Sequence, residues 1–154
     1  EKTQLKAQVE KDIITTRTIG ENFPNYESVI PTENTKKFIL KKNDLLGAIR
    51  RVSIFSNKAT HQVALSLNNT GCKITTEDPE KASKAQESII GEYDGESIVI
   101  GYNADYLKDV VSHVVGENII IELSNPVSAA LFSSTKKQKD TETTMLLMPI
   151  RLND

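Results

Sequence analysis

Cysteine, tryptophan, histidine and long apolar runs are what this 154-residue sequence has least of: one Cys, no Trp and two His. A lone Cys72 excludes an intramolecular disulfide and any zinc site built on cysteines, and it fits a reducing cytosol. Following Gly71 in a strand-like stretch, Cys72 reads as a small core residue. No window comes near the roughly 18 apolar residues of a spanning helix, and no signal peptide opens the chain. The start, Glu1 to Leu5, lacks an initiator Met and runs straight into a strand pattern, as a piece of a longer protein would. Charge of one sign is missing too, since 19 Lys and Arg against 21 Asp and Glu leave a net charge of −2. That speaks against a body held to nucleic acid by a large phosphate-neutralising surface, while leaving room for a locally basic face.

Catalytic groupings are equally scarce. His61 and His113 stand alone, without the i,i+4 or Cys spacing that would hold a metal. There is no nucleophile elbow and no phosphate-cradling loop. Gly91, Gly95 and Gly101 read as turn and strand-end glycines. Asp105 and Asp109, four residues apart on a solvated helix face, offer at most a water-mediated Mg²⁺ contact. The expectation is a non-enzyme with no catalytic residue, metal ligand or cofactor.

Enough apolar residues remain (38%, with four Phe and four Tyr) for a lean core. Residues 4–9 alternate, with Leu5, Ala7 and Val9 on one face, and 12–19 are rich in β-branched types, so the two form a hairpin turning at Glu10 and Lys11. Residues 20–26 break that pattern and 31–35 read as a linker. A hairpin and a linker are too little to fold alone and suit the end of another domain. Lys36–Lys41 is then a strand leading to a helix capped by Asn43, with Asp44 in its first turn. Leu45, Leu46, Ala48, Ile49 and Val52 share the helix's buried face, and Gly47, Arg50 and Arg51 the other. A strand with Val63, Leu65 and Leu67 inward, a turn at 68–71, a strand at 72–76 and a polar excursion at 78–84 follow. Strands at 86–92 and 97–101, joined by a turn at Asp94 and Gly95, complete the first half.

The pattern then begins again. A strand from Ser97 leads to Asn103, which caps a helix over 104–115. Leu107, Val110, Val111 and Val114 face inward, Asp105, Lys108, Asp109 and Ser112 outward, and Gly116 ends it. Strands at Asn118–Leu123, 127–133 and 143–148 close the chain, with a polar loop at 134–141 expected to be mobile. Residues 36–154 are thus two copies of one β-α-β-β-β unit, their cap asparagines 60 positions apart. Two such units paired edge to edge, with two helices on one face of antiparallel sheets, make an α+β fold.

Two stretches invite a functional reading. The tail, Leu146, Leu147, Met148, Pro149, Ile150, Arg151 and Leu152, is apolar where termini are normally polar. Pro149 must end its strand, leaving Ile150, Arg151 and Leu152 on the surface as a docking site or as trailing residues of an edge strand. Arg50, Arg51, Lys58 and Lys108 could contact phosphates loosely, without reading bases, or could be ordinary solvated side chains. Ile54 falls on the polar side of the first helix, where burial by a partner would explain it. A generic α+β ligand-binding domain or a self-association module on open sheet edges is the competing reading.

Phe23, Pro24, Asn25 and Tyr26, then Val29, Ile30 and Pro31, the helix ending Ile54-Phe55-Ser56-Asn57, the strand Ile100-Gly101-Tyr102-Asn103 and the terminal Met148-Pro149-Ile150-Arg151-Leu152 carry a family likeness. In this order and spacing they resemble the bacterial β sliding clamp, the processivity subunit of DNA polymerase III. The resemblance implies the DNA-clamp fold and a homodimeric ring of three-domain subunits around duplex DNA, held topologically, in the cytoplasm and with the nucleoid, away from membranes. It implies that residues 1–35 are the last hairpin of the middle domain plus a linker, and that 36–154 are the C-terminal domain. It further implies a pocket for short linear motifs of polymerase, clamp-loader and repair proteins. Pro24 and Val29 would line it from the linker side, and Leu146, Leu147, Met148, Pro149, Ile150 and Arg151 from the tail. Asn103 and Tyr106 would gate or contact the peptide. The sequence departs from the family's pattern at Ser28, where Arg is frequent, and at Ala129, where Ser is. At the subunit interface the resemblance places Ile54 and Phe55 as the apolar part and Glu80 and Glu87 as the acidic part, diluted by Lys81 and Lys84.

Overall fold

The computed structural model describes residues 3–136, 139, 141 and 143–152. The chain opens with a hairpin of β1 (Gln4–Val9) and β2 (Asp12–Arg17), paired from Gln4↔Arg17 to Val9↔Asp12. Glu10 takes the left-handed conformation (φ 54°) that the two-residue turn needs. Every residue of both strands is exposed, the apolar Leu5, Val9, Ile13 and Ile14 included.

From residue 36 the two repeated units are present, but they are interlocked rather than set edge to edge. The first has β3 (Lys36–Lys41), α1 (Lys42–Ser53), β4 (Gln62–Asn68), β5 (Gly71–Asp78) and β6 (Ser83–Ile89). A short strand β7 (Gly91–Asp94) connects to the second, which has β8 (Ile98–Asn103), α2 (Ala104–His113), β9 (Asn118–Leu123), β10 (Ala130–Ser134) and β11 (Met145–Leu147). One sheet runs β11-β10-β9-β3-β7 and the other β6-β5-β4-β8. Each unit therefore gives its first strand to the other unit's sheet: Phe38 of β3 faces Ile121 of β9, and Leu65 of β4 faces Ile100 of β8. The exchange joins both halves into one core. Tyr102 of β8 and Phe132 of β10, from different sheets, meet edge to face at 6.3 Å between ring centroids.

Alternation explains the core. Val63, Leu65 and Leu67 are buried on β4, Phe38 and Leu40 on β3, and Ile119, Ile121 and Leu123 on β9. The two helices pack on each other, α1 against β3, β4, β5 and β6, and α2 against β8 and β11. Leu45, Ala48, Ile49 and Val52 of α1 are buried as their spacing predicts; Leu46 is partly buried against the same core. Cys72 is 3% exposed, and burial pushes its thiol up to about 12, so it stays protonated and inert.

Several sequence expectations need correction. Asn43 is not the cap of α1: the helix begins at Lys42, and Lys41 precedes it without a side-chain hydrogen bond. The true repeat offset is 62, from β3 at 36 to β8 at 98, so Lys41 rather than Asn43 corresponds to the genuine cap Asn103. The start of α1 is tied to the second unit instead, with Lys42 N–H donating to the Glu117 carbonyl (2.8 Å) and Lys42 Nζ to the Val114 carbonyl (2.9 Å). Its position at the last exposed carbonyls of α2 suits a cation. The strand expected at 86–92 is two strands broken at the exposed Ile90, β6 in one sheet and β7 in the other, so no hairpin forms at Asp94 and Gly95. β10 begins at Ala130 because Asn125 Oδ1 accepts from Val127 N–H (3.0 Å) and Ser128 N–H (2.9 Å), curling those residues into a turn. α2 ends at His113, and β11 is three residues long. Of the polar loop at 134–141, residues 137, 138 and 140 lie outside the described residues.

Candidate functional site

The tail does not trail. β11 pairs with β10 through Leu147↔Ala130 and Met145↔Phe132, burying Leu147 and leaving Leu146 half-buried. Met148 is then 57% exposed and Pro149 half-buried. Next, Ile150 crosses to the other sheet, its N–H donating to the Gly101 carbonyl at 2.9 Å in an isolated antiparallel bridge. The expectation that Ile150 and Leu152 lie free on the surface is therefore wrong. Both are half-buried, Leu152 against Gly101, and only Arg151 is exposed. Sequence reasoning missed Gly101 as the receiving point. Its signal was a glycine inside a β-branched strand, which marks a close backbone approach.

Beside this strap stands the start of α2, which also packs on β11. Asn103 Oδ1 accepts from Asp105 N–H (2.9 Å) and Tyr106 N–H (3.3 Å), and its Nδ2 donates to the Thr60 carbonyl (3.2 Å). The cap satisfies otherwise orphaned donors and fixes where Tyr106, 66% exposed, projects. Replacing Asn103 with Ala is expected to lower stability by about 1 kcal/mol, read from denaturant unfolding. Asp105 is engaged on both sides, by Lys108 Nζ at 2.7 Å and His61 Nδ1 at 3.1 Å. Asp109 lies 3.5 Å from His113. Among the described residues no three His, Cys, Asp or Glu side chains gather into a metal site.

On the linker side Phe23 and Tyr26 meet edge to face at 6.1 Å, with exposed Pro24 between them in sequence. Val29, 58% exposed, closes the short 3-10 turn Tyr26–Val29, and Ser28 Oγ donates to the Asn25 carbonyl at 2.7 Å. Ala129 is buried.

The candidate cations divide. Arg51 forks onto Glu87, with Nε to Oε2 at 2.9 Å and Nη2 to Oε1 at 2.6 Å. Lys108 is tied to Asp105. Arg50 and Lys58 are exposed and have no anionic partner among the described residues. Two groups singled out for different partners, Arg51 for DNA and Glu87 for a second subunit, thus hold each other. Ile54 (76% exposed), Phe55 (45%) and Glu80 remain open beside β6, an edge strand of its sheet.

Among the described residues, three carboxyls are held below their usual range. For Glu87 the hydrogen bond from Arg51 dominates, and for Asp105 the one from Lys108. At Asp78, 1% exposed, burial opposes ionisation most, but hydrogen bonds from Asn57 Nδ2 (3.2 Å) and from Lys81, with Lys81's charge, together outweigh it. Each carboxyl binds a proton less readily folded than unfolded. Their contribution is therefore complete above the ordinary values of 4.5 for Glu and 3.8 for Asp, and is lost as pH falls through the lower folded values. The thermal midpoint should fall on acidification through that window, and less steeply in Glu87→Gln. Added salt should shrink the Glu87 difference, since that pair is largely solvent-screened.

The family description "DNA polymerase III beta subunit, C-terminal domain" matches residues 27–151. The beta sliding clamp of Proteus mirabilis is 32% identical over 148 residues, 96% of this chain and 39% of that protein. That of Vibrio cholerae is 29% identical over 150 residues, 97% of this chain and 40% of the relative. Among solved structures, the DNA polymerase sliding clamp of Pseudomonas aeruginosa with ligand superposes with a TM-score of 0.90 at 29% identity, covering 99% of this chain and 40% of that one. The Bartonella birtlesii clamp bound to griselimycin gives 0.90 at 27%, with the same coverage. The chain spans about 40% of the length of these relatives.

Proposed function

The chain belongs to the DNA polymerase III beta-subunit family, the beta sliding clamps, and from this premise we propose that it is the C-terminal part of a clamp that tethers replication proteins to DNA without catalysing a reaction. Residues 36–154 form the C-terminal domain, and residues 1–35 the last hairpin and linker of the middle domain. The rest of that domain would cover the exposed Leu5, Val9, Ile13 and Ile14. The intact protein closes as a homodimeric ring around duplex DNA in the cytoplasm, at the nucleoid. Arg50 and Lys58 carry most of this domain's phosphate contact, Arg51 and Lys108 being partly neutralised. Ile54, Phe55 and Glu80 meet the neighbouring subunit, with Glu87 sharing its charge between that role and Arg51.

The observation that carries the pocket is the exposed Met148 beside half-buried Pro149, held between β11 and the Ile150–Gly101 bridge. An uncovered Met in a fixed backbone can repack around different side chains, which suits a site visited by polymerase, clamp-loader and repair proteins. Pro24, Val29, Asn103 and Tyr106 complete the lining with Leu146, Leu147, Ile150 and Arg151. Calorimetric titration of the intact protein with a Gln-x-x-Leu-Phe-like peptide tests this. Saturable one-site binding supports the pocket, and no binding contradicts it. Griselimycin, found on the Bartonella birtlesii relative, is a second probe and should also bind.

A further inference from the structure

We propose that Gly101 is a positioning residue for the peptide pocket, its missing side chain being what lets the tail lie across the end of β8. The proposal rests on the pocket reading above and deepens it. Gly101 is not one of the glycines with positive φ, which are Gly71, Gly95 and Gly116, so its backbone does not demand glycine. Space does. A Cβ at Gly101 would stand 2.7 Å from the Ile150 carbonyl oxygen and 2.6 Å from a Leu152 methyl carbon. Leu152 is the tip of a flexible side chain and could swing away. The Ile150 carbonyl is backbone, so relieving that contact moves the tail itself.

Among the described residues, one backbone hydrogen bond ties the tail down beyond β11. β11 stops at Leu147, Pro149 has no N–H to donate, and the next anchor is the hydrogen bond from Ile150 to Gly101. Gly101 is held on its other side by pairing with Ala64 of β4, so the strand end cannot retreat. Two residues further on is Asn103, whose cap fixes Tyr106. One strand end thus anchors the tail at Ile150, just after Met148 and Pro149, and carries the Asn103 to Tyr106 turn, the two parts that the pocket reading puts in contact with a peptide. Sites of this kind work within roughly 0.5 Å of their productive geometry.

In the intact protein, Gly101→Ala should weaken binding of a Gln-x-x-Leu-Phe-like peptide by about tenfold or more. In the 154-residue chain the Ile150 amide should lose protection from hydrogen exchange while the amides of Leu65 and Ile121 keep theirs. Removing residues 150–154 should weaken binding similarly, and Gly101→Ala should then add nothing. Unchanged peptide affinity in Gly101→Ala overturns the assignment and leaves the pocket standing. A loss that persists undiminished in the shortened protein also overturns it, because the substitution would be acting on the sheet. If the wild-type protein binds no peptide, the pocket reading falls, and the Ile150 amide still decides whether Gly101 holds the tail. Should Gly101→Ala fail to fold, folding restored by removing 150–154 supports the clash, and its absence contradicts it.

Discussion

Replacing Phe38 with Ala is expected to cost the fold about 3–5 kcal/mol, seen as a lower urea midpoint with an unchanged slope. Phe38 is fully buried on β3, the strand the first unit gives to the second unit's sheet. Its neighbours in register are Ile121 on β9 and Tyr93 on β7, and the Tyr93 ring meets it edge to face at 6.1 Å. Gly91 lies against the ring so closely that a Cβ there would stand 2.5 Å from it. The ring therefore fills space between strands of both units, and its removal leaves a cavity there. Against a typical stability of about 5–15 kcal/mol, such a loss is large. Gly91→Ala should destabilise for the converse reason. Part of its effect should vanish in the Phe38→Ala background, while the Ile39 carbonyl, 2.8 Å from the same Cβ, preserves the rest.

The second large effect is on binding. Met148→Ala with Pro149→Ala should reduce the intact protein's affinity for a Gln-x-x-Leu-Phe-like peptide by about thirtyfold or more, in the range of truncating an interface hot spot. Met148 supplies the exposed apolar surface, and Pro149 stiffens the step between Leu147 and the Ile150 anchor. Because Met148 is 57% exposed and Pro149 half-buried, the thermal midpoint should move little. A large affinity loss at nearly constant stability marks contact with the peptide. Equal losses of both would mean that the pair supports the domain instead.

Local chemistry was readable from the sequence, and long-range pairing was not. The 3.6-residue spacing of Leu45, Ile49 and Val52, and of Leu107 and Val111, placed both helices because one buried face leaves that trace in any context. The β-branched runs located most strands. Which sheet a strand joins depends on residues far away in sequence, so the division at Ile90 and the exchange of β3 and β8 left no local mark. Asn43 misled because Asn before an apolar run is a sound cap signal, yet the helix had already begun at Lys42. At the candidate site, composition and chain position put Ile150, Arg151 and Leu152 on the surface, where only Arg151 is exposed; the exposed Met148 was singled out by the resemblance instead. The pairing of Arg51 with Glu87 and the strap at Gly101 join residues dozens of positions apart. Neither is visible until the sheet brings them together.

The intact protein should hold DNA topologically, by enclosing it. Loaded onto nicked circular duplex by a bacterial clamp loader and ATP, it should stay bound through gel filtration at a salt concentration that strips ordinary phosphate contacts. Linearising the circle with a restriction enzyme should release it. Retention on the linear product at that salt, or equal binding to short open duplexes, would contradict the account.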